Sequence, residues 1–156
     1  MTTVLAVDLG SASGRVLAGT LHDGRLVVTD IHRFKHQAQR REDGTLTWDV
    51  ATMEAETIVG LKKALERFPD ARTVSIDTWG VDWAPLDEDG SLIGDVVAYR
   101  DERTSRTLGE FRSRLGDREF FDLTGLQPAT INTANQLVAM LVEEPELAAR
   151  VASVLY

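Results

Sequence analysis

Three groups of residues in this 156-residue chain carry the polar atoms and the spacing that chemistry needs. The first is Asp8 with the run Gly10-Ser11-Ala12-Ser13-Gly14-Arg15 that follows it. Glycines and serines set this closely leave backbone N–H groups able to point at an anion, because glycine accepts positive φ and close approach. Asp8, at the mouth of such a loop, stands where a carboxylate would hold Mg²⁺ through water. The same composition also makes an ordinary hairpin turn, and spacing alone does not separate the two. The second group is Asp77-Thr78-Trp79-Gly80-Val81-Asp82-Trp83. A polyol ligand wants this mixture of aromatic face, carboxylate and open backbone, although two tryptophans are equally the material of a core. The third is Tyr99-Arg100-Asp101-Glu102-Arg103-Thr104, a charged cluster that also reads as the solvated first turn of a helix.

Other chemistries find little support. The 10–15 loop lacks the G-x-x-x-x-G-K-S/T pattern and leads into a strand rather than a helix, which disfavours a P-loop or dinucleotide fold. With no cysteine there is no disulfide framework, thiolate or Cys-based zinc site. His22, His32 and His36 do not cluster with a nucleophile or with other metal ligands, and surface positions are expected for them. The acidic stretch 87–90 lacks EF-hand spacing and reads as a plain turn. A net charge of −8 argues against a nucleic-acid surface. No apolar run approaches the roughly 18 residues that span a bilayer. Residues 1–3 lead into a strand pattern without a signal peptide. A soluble, intracellular domain is the expectation.

Those groups need elements to position them. Residues 4–7 form a nearly continuous apolar run, the pattern of a strand buried on both faces, and 16–20 read as its hairpin partner. An Asp-Gly turn at His22-Asp23-Gly24-Arg25 leads to a third strand over 26–34, completing a meander. Residues 35–41 read as a solvated basic excursion. Asp49 is the expected N-cap of a helix over 50–68, whose stripe is Val50, Met53, Ile58, Leu61, Leu65 and Phe68. A buried strand over 73–77 follows, and a strand–helix–strand crossover implies a parallel neighbour. The Trp79–Gly80 stretch then falls at a strand end, where open α/β sheets place ligands. Further on, the pattern predicts a small hairpin over 82–93 and a helix ending at Gly116. Short helices capped by Asp117 and Asn132 come next, then one opened by Pro145 and the start of a strand at Val154.

Residues 6–15, Thr47-Trp48-Asp49-Val50, 76–83 and 99–104 together resemble the FGGY family of carbohydrate kinases. The T-W-G-V-D stretch is the most specific part. It is similar to the rhamnulose-phosphorylating branch, while the glycerol, xylulose and gluconate branches carry other residues there. The resemblance implies an α/β fold, an actin-like ATPase (ribonuclease-H-like) lobe. In it a mixed sheet joins an antiparallel three-strand meander to parallel strands, with helices flanking. It implies ATP and Mg²⁺ as cofactors and transfer of the γ-phosphate to the 1-hydroxyl of L-rhamnulose, in L-rhamnose catabolism. A kinase for another ketose or polyol, or a non-catalytic actin-like binding module, are the alternatives.

Carried over residue by residue, the family pattern puts Ser11, Ala12, Ser13, Gly14 and Arg15 at the ATP phosphates and Asp8 near the metal. Gly80 matches a sugar-contacting position, with Trp79, Asp82, Asp101 and Arg103 beside it. Family members are much longer, and their catalytic base is an aspartate in a His-Asp-Thr motif that does not occur here. The expectation is therefore that residues 1–156 form an incomplete N-terminal lobe, the sugar- and phosphate-binding side, of a cytoplasmic enzyme. No catalytic base is expected in this chain, and self-association through the lobe's uncovered edge is expected of it.

Overall fold

The computed structural model describes residues 2–156; the expected direct entry into a strand is met from Thr2 onward, Met1 lying outside the described residues. In chain order the elements are β1 (Thr2–Leu9), β2 (Ser13–His22), β3 (Arg25–Lys35), β4 (Gln39–Arg40), β5 (Leu46–Thr47), α1 (Val50–Arg67), β6 (Val74–Thr78) and β7 (Ala84–Leu86). There follow α2 (Arg103–Arg106), α3 (Leu108–Arg114), α4 (Asp117–Thr124), α5 (Thr133–Glu143), α6 (Pro145–Ala148) and β8 (Ser153–Leu155). They divide into two compact units, one of Met1–Gln37 with Asp49–Trp79 and the other of Ala38–Trp48 with Gly80–Tyr156.

The first unit is a four-stranded sheet in the order β3-β2-β1-β6. β1 and β2 pair antiparallel from Thr2↔Leu21 down to Leu9↔Gly14. The β2–β3 turn puts Asp23 at φ 47° and Gly24 at φ 74°, the two positive angles that match the twist of a tight hairpin. α1 then carries the chain across so that β6 joins β1 in parallel, from Leu5↔Val74 to Leu9↔Thr78. The result is the mixed α/β sheet expected from the sequence, a meander with a parallel strand added at its β1 side.

Asp49 caps α1 as expected, accepting from the Thr52 N–H at 2.9 Å and the Thr52 hydroxyl at 2.7 Å. The helix buries a different stripe from the one its large residues suggest. Met53, Gly60 and Ala64 are buried, with Leu61 and Phe68 half-buried, while Val50, Ile58 and Leu65 face outward. Small residues win because the helix backbone lies almost on the sheet: a Cβ at Gly60 would stand 2.4 Å from Cγ2 of Val16. Beneath it the core is Leu5, Val7, Val16, Ala18, Ala64 and Ala71. Burying each of its larger side chains contributes roughly 1.5–3 kcal/mol.

Two expected burials are not met. β1 alternates rather than being covered on both faces, with Leu5 and Val7 buried and Val4 exposed. β6 is exposed at every position. The helix packs over β2 and β3, and β6 has β1 as its partner on one side among the described residues.

The second unit joins two small ribbons, β4–β5 and β7–β8, to the helices α2–α6. β4 lies within the stretch expected to be solvated coil. β8 pairs antiparallel with β7, Ala84↔Leu155 to Leu86↔Ser153, so the strand begun at the chain's end finds a partner. The Asp87 carboxylate takes the N–H groups of Asp89 and Ser91 and Gly90 has φ 76°, a turn as expected. Two caps differ from expectation. Gly116, not Asp117, is the N-cap of α4, and Asp117 instead pairs with Arg112 at 3.0 Å. Asn132 is the N-cap residue of α5 as expected, but its side chain accepts from the Ala129 N–H rather than from the helix. Gly125 at φ 70° closes α4, and Pro145 opens α6. Among the described residues no helix is long and apolar enough to cross a membrane.

Candidate functional site

In the first unit, the β1–β2 ladder delivers the bend at residues 10–13. Gly10 N–H donates to the Ser13 carbonyl at 3.0 Å, which closes the turn and leaves Ser11 and Ala12 at its exposed tip. Neither Gly10 nor Gly14 has a positive φ. Gly14 is required for another reason: a Cβ there would fall 2.2 Å from Cζ of Phe34. Asp8 and Arg15 are register partners, and their side chains form an ion pair. Both stay accessible, at 31% and 38% side-chain exposure, so each can be reached by a ligand. Arg15 Nε is buried and has no hydrogen bond among the described residues.

Behind the bend runs a series of rings. His32 and Phe34 lie 6.0 Å apart, Phe34 and His36 5.9 Å, and His36 stacks on Trp79 at 5.7 Å and 25°. His36 and His32 are thus not the surface residues expected. The His32 ring is bonded to Glu56 at 2.6 Å, and the half-buried ring of His36, its two nitrogens shielded from solvent, lies against the Gly10 backbone. Burial holds the His36 imidazole below its ordinary value, against the opposing pull of that Gly10 contact. Their spacing of two, shared with Phe34 and carried one residue past the end of β3, was the signal that sequence reasoning passed over.

In the second unit, Gly80 is exposed, and a Cβ on it would meet nothing within 4 Å. The residues after it are held from several directions. The Val81 carbonyl accepts from Gln136 Nε2 at 3.0 Å and from the Thr133 hydroxyl at 3.3 Å. Asp82 accepts from Trp48 Nε1 at 2.7 Å through one oxygen and from the Tyr99 N–H at 2.6 Å through the other. Trp83 is core, at 4% exposure.

The 99–104 cluster is not a solvated helix start. Asp101 and Arg103 are each 5% exposed. Asp101 accepts from the Leu46 N–H at 2.7 Å and the Arg103 N–H at 2.8 Å, which ties β5 to the start of α2. Arg103 reaches Glu144 at 3.4 Å. Burial draws its guanidinium below the ordinary value, and Glu144 and Asp101 lead the carboxylates that oppose this. Sequence reasoning missed Gln136 and Asn135, both buried in α5 with a side-chain oxygen that has no hydrogen bond among the described residues. Nothing in their local pattern marks them. Among the described residues no three His, Asp or Glu side chains gather as a metal-holding group.

The chain matches the model of the FGGY family of carbohydrate kinases, N-terminal domain, over residues 3–156. It is similar to the rhamnulokinase of Klebsiella pneumoniae, 39% identical over 153 residues, a match that covers 97% of this chain and 31% of that protein. The fold is similar to that of the xylulose kinase from Rhodospirillum rubrum, with a TM-score of 0.81 at 18% identity, covering 97% of this chain and 31% of the other. It is also similar to the Plasmodium falciparum glycerol kinase solved with ADP, with a TM-score of 0.75 at 16% identity, covering 96% and 30%. A match of this extent, on a mixed sheet with an open β1–β2 bend, means that the chain belongs to the FGGY family of carbohydrate kinases and carries its N-terminal domain.

Proposed function

We propose that the protein carrying this chain transfers the γ-phosphate of ATP to the 1-hydroxyl of L-rhamnulose. Residues 1–156 are its N-terminal lobe, and the catalytic base lies in a C-terminal lobe. The observation that carries the reading is the exposed bend at Ser11 and Ala12, flanked by a reachable Asp8 and Arg15. The bend Ser11, Ala12, Ser13 and Gly14, through the backbone open at its Ser11–Ala12 tip, and the Arg15 guanidinium receive the ATP phosphates. A single accessible carboxylate suits Mg²⁺, which keeps several waters and takes its other ligands from substrate phosphates; Asp8 would hold it. The ion supplies neutralisation of phosphate charge when bound. The ADP bound by the glycerol kinase neighbour supports a nucleotide on this fold.

On the sugar side, Gly80 offers open backbone to a hydroxyl, and Trp79 offers a ring face to C–H groups. Asp82, Asp101 and Arg103 frame that segment through the hydrogen bonds already described. L-Rhamnulose is favoured over other ketoses by T-W-G-V-D and by the 39% identity to a rhamnulokinase. A cytoplasmic location goes with that reading.

The test is ADP release by the full-length protein with ATP, Mg²⁺ and a panel of ketoses and polyols. The expected result is a kcat/KM for L-rhamnulose at least about tenfold above the next sugar. Another ketose in first place moves the substrate assignment, and no sugar-dependent ADP release overturns the kinase reading. Residues 1–156 by themselves are expected to turn over nothing.

A further inference from the structure

We propose that His36 is a positioning residue for the 10–14 bend, holding it from behind in the form that receives phosphate; this rests on the reading of the bend as the nucleotide site. Backbone amides bind an oxyanion well when they already point at it before it arrives. Ser11 and Ala12 are exposed, so packing of their own side chains cannot supply that order. His36 does so from the rear. Its backbone N–H donates to the Ala12 carbonyl at 3.3 Å, and its ring, with both nitrogens shielded from solvent, lies against the Gly10 backbone. That ring leans on Phe34 at 5.9 Å, and Phe34 occupies the space a side chain at position 14 would take. Residues 10, 12 and 14 are therefore each set by His36 or by the ring beside it. The imidazole also stacks on Trp79, just past the end of β6, which keeps the ring from turning away.

The bland reading is that the imidazole fills space, and three variants separate the two. His36→Phe keeps a ring and loses the polar nitrogens against Gly10; His36→Gln keeps a polar group and loses the stack; His36→Ala loses both. The first readout is amide hydrogen exchange of the full-length protein without nucleotide or sugar. Exchange at residues 10 and 36 is expected to rise about tenfold in His36→Ala, and less in His36→Gln and His36→Phe, with β1 and α1 unchanged. The second is steady-state kinetics. KM for MgATP is expected to rise about tenfold in His36→Ala, with KM for the sugar within about twofold and kcat within about threefold. Partial rescue of the MgATP KM by His36→Gln supports the positioning role. Wild-type exchange at the bend in His36→Ala overturns the proposal, as does an equal rise in both KM values. A His36→Phe variant identical to wild type in both readouts also overturns it. If His36→Ala does not fold, the Gln and Phe variants decide. Exchange is read without turnover, so a protein that phosphorylates no ketose defeats the kinase reading and leaves the His36 result to be judged alone.

Discussion

The 10–15 bend and the 80–82 segment present their polar groups by opposite means. In the bend the atoms that would meet a phosphate belong to the backbone, the tip side chains are small and exposed, and rings pack behind. The 80–82 segment is pinned by side chains recruited from far away: Trp48, 34 residues distant, on the Asp82 carboxylate, and Gln136, 55 residues distant, on the Val81 carbonyl. A site made of amides in a tight turn is a local property of composition. A segment held by side-chain pins exists only once the unit has folded. Substitutions at the exposed tip of the bend should therefore cost function before stability, and substitutions at the pins of the 80–82 segment should cost stability first.

Three aspartates in different settings can break that contrast, taken from the largest effect to the smallest. Asp8→Asn in the full-length protein is expected to lower kcat by about 10²-fold or more while sugar KM changes by less than about threefold, with little change in melting temperature. Unchanged turnover would remove Asp8 from the site. Asp82→Ala leaves the Trp48 Nε1–H and the Tyr99 N–H without their acceptor and should destabilise by about 2–3 kcal/mol in a denaturant titration. Asp82→Asn keeps one acceptor oxygen and should recover part of that. A melt indistinguishable from the parent would show that the segment is not held by these bonds.

The smallest effect is at Asp49, which is fully exposed at the start of α1. The Thr52 backbone N–H, with its hydroxyl, holds the Asp49 carboxyl below the ordinary 3.8. A carboxyl depressed in the folded state adds stability above its unfolded value, and that contribution is lost as pH falls through the folded value. Asp49→Ala should thus melt below the parent at neutral pH, and the gap should close as pH drops below 3.8. A gap that stays constant through that range would assign the loss to helix propensity instead.

Much of the first unit was legible in the sequence because its signals are short-range. The Asp23-Gly24 turn, the Asp49 cap and the strand–helix–strand crossover each follow from neighbours in the chain. What was misread depends on distance. Met53, Leu61 and Phe68 of the expected helix stripe do face inward, but Val50, Ile58 and Leu65 do not; Gly60 fits against Val16 and Ala64 is buried in the core, and close approach leaves no trace in apolar periodicity. β6 was expected to be buried because Val74 and Ile76 alternate with Thr73 and Ser75, yet burial depends on what packs over the strand. The charges of Asp101 and Arg103 suggested solvent, while their hydrogen bonds with Leu46 and Glu144 let them go inside. Gln136 carried no local mark at all, since its partners are carbonyls set by the fold.

The near-contact of α1 with β2 has a mechanical consequence. Gly60 brings the helix so close to Val16 that not even a methyl group fits between them, and Val16 adjoins Arg15 at the foot of the bend. Protein interiors packed this tightly have little compressibility. A triphosphate pressing on the tip would meet an anvil rather than a cushion, and almost none of its affinity would be diverted into reshaping what lies underneath.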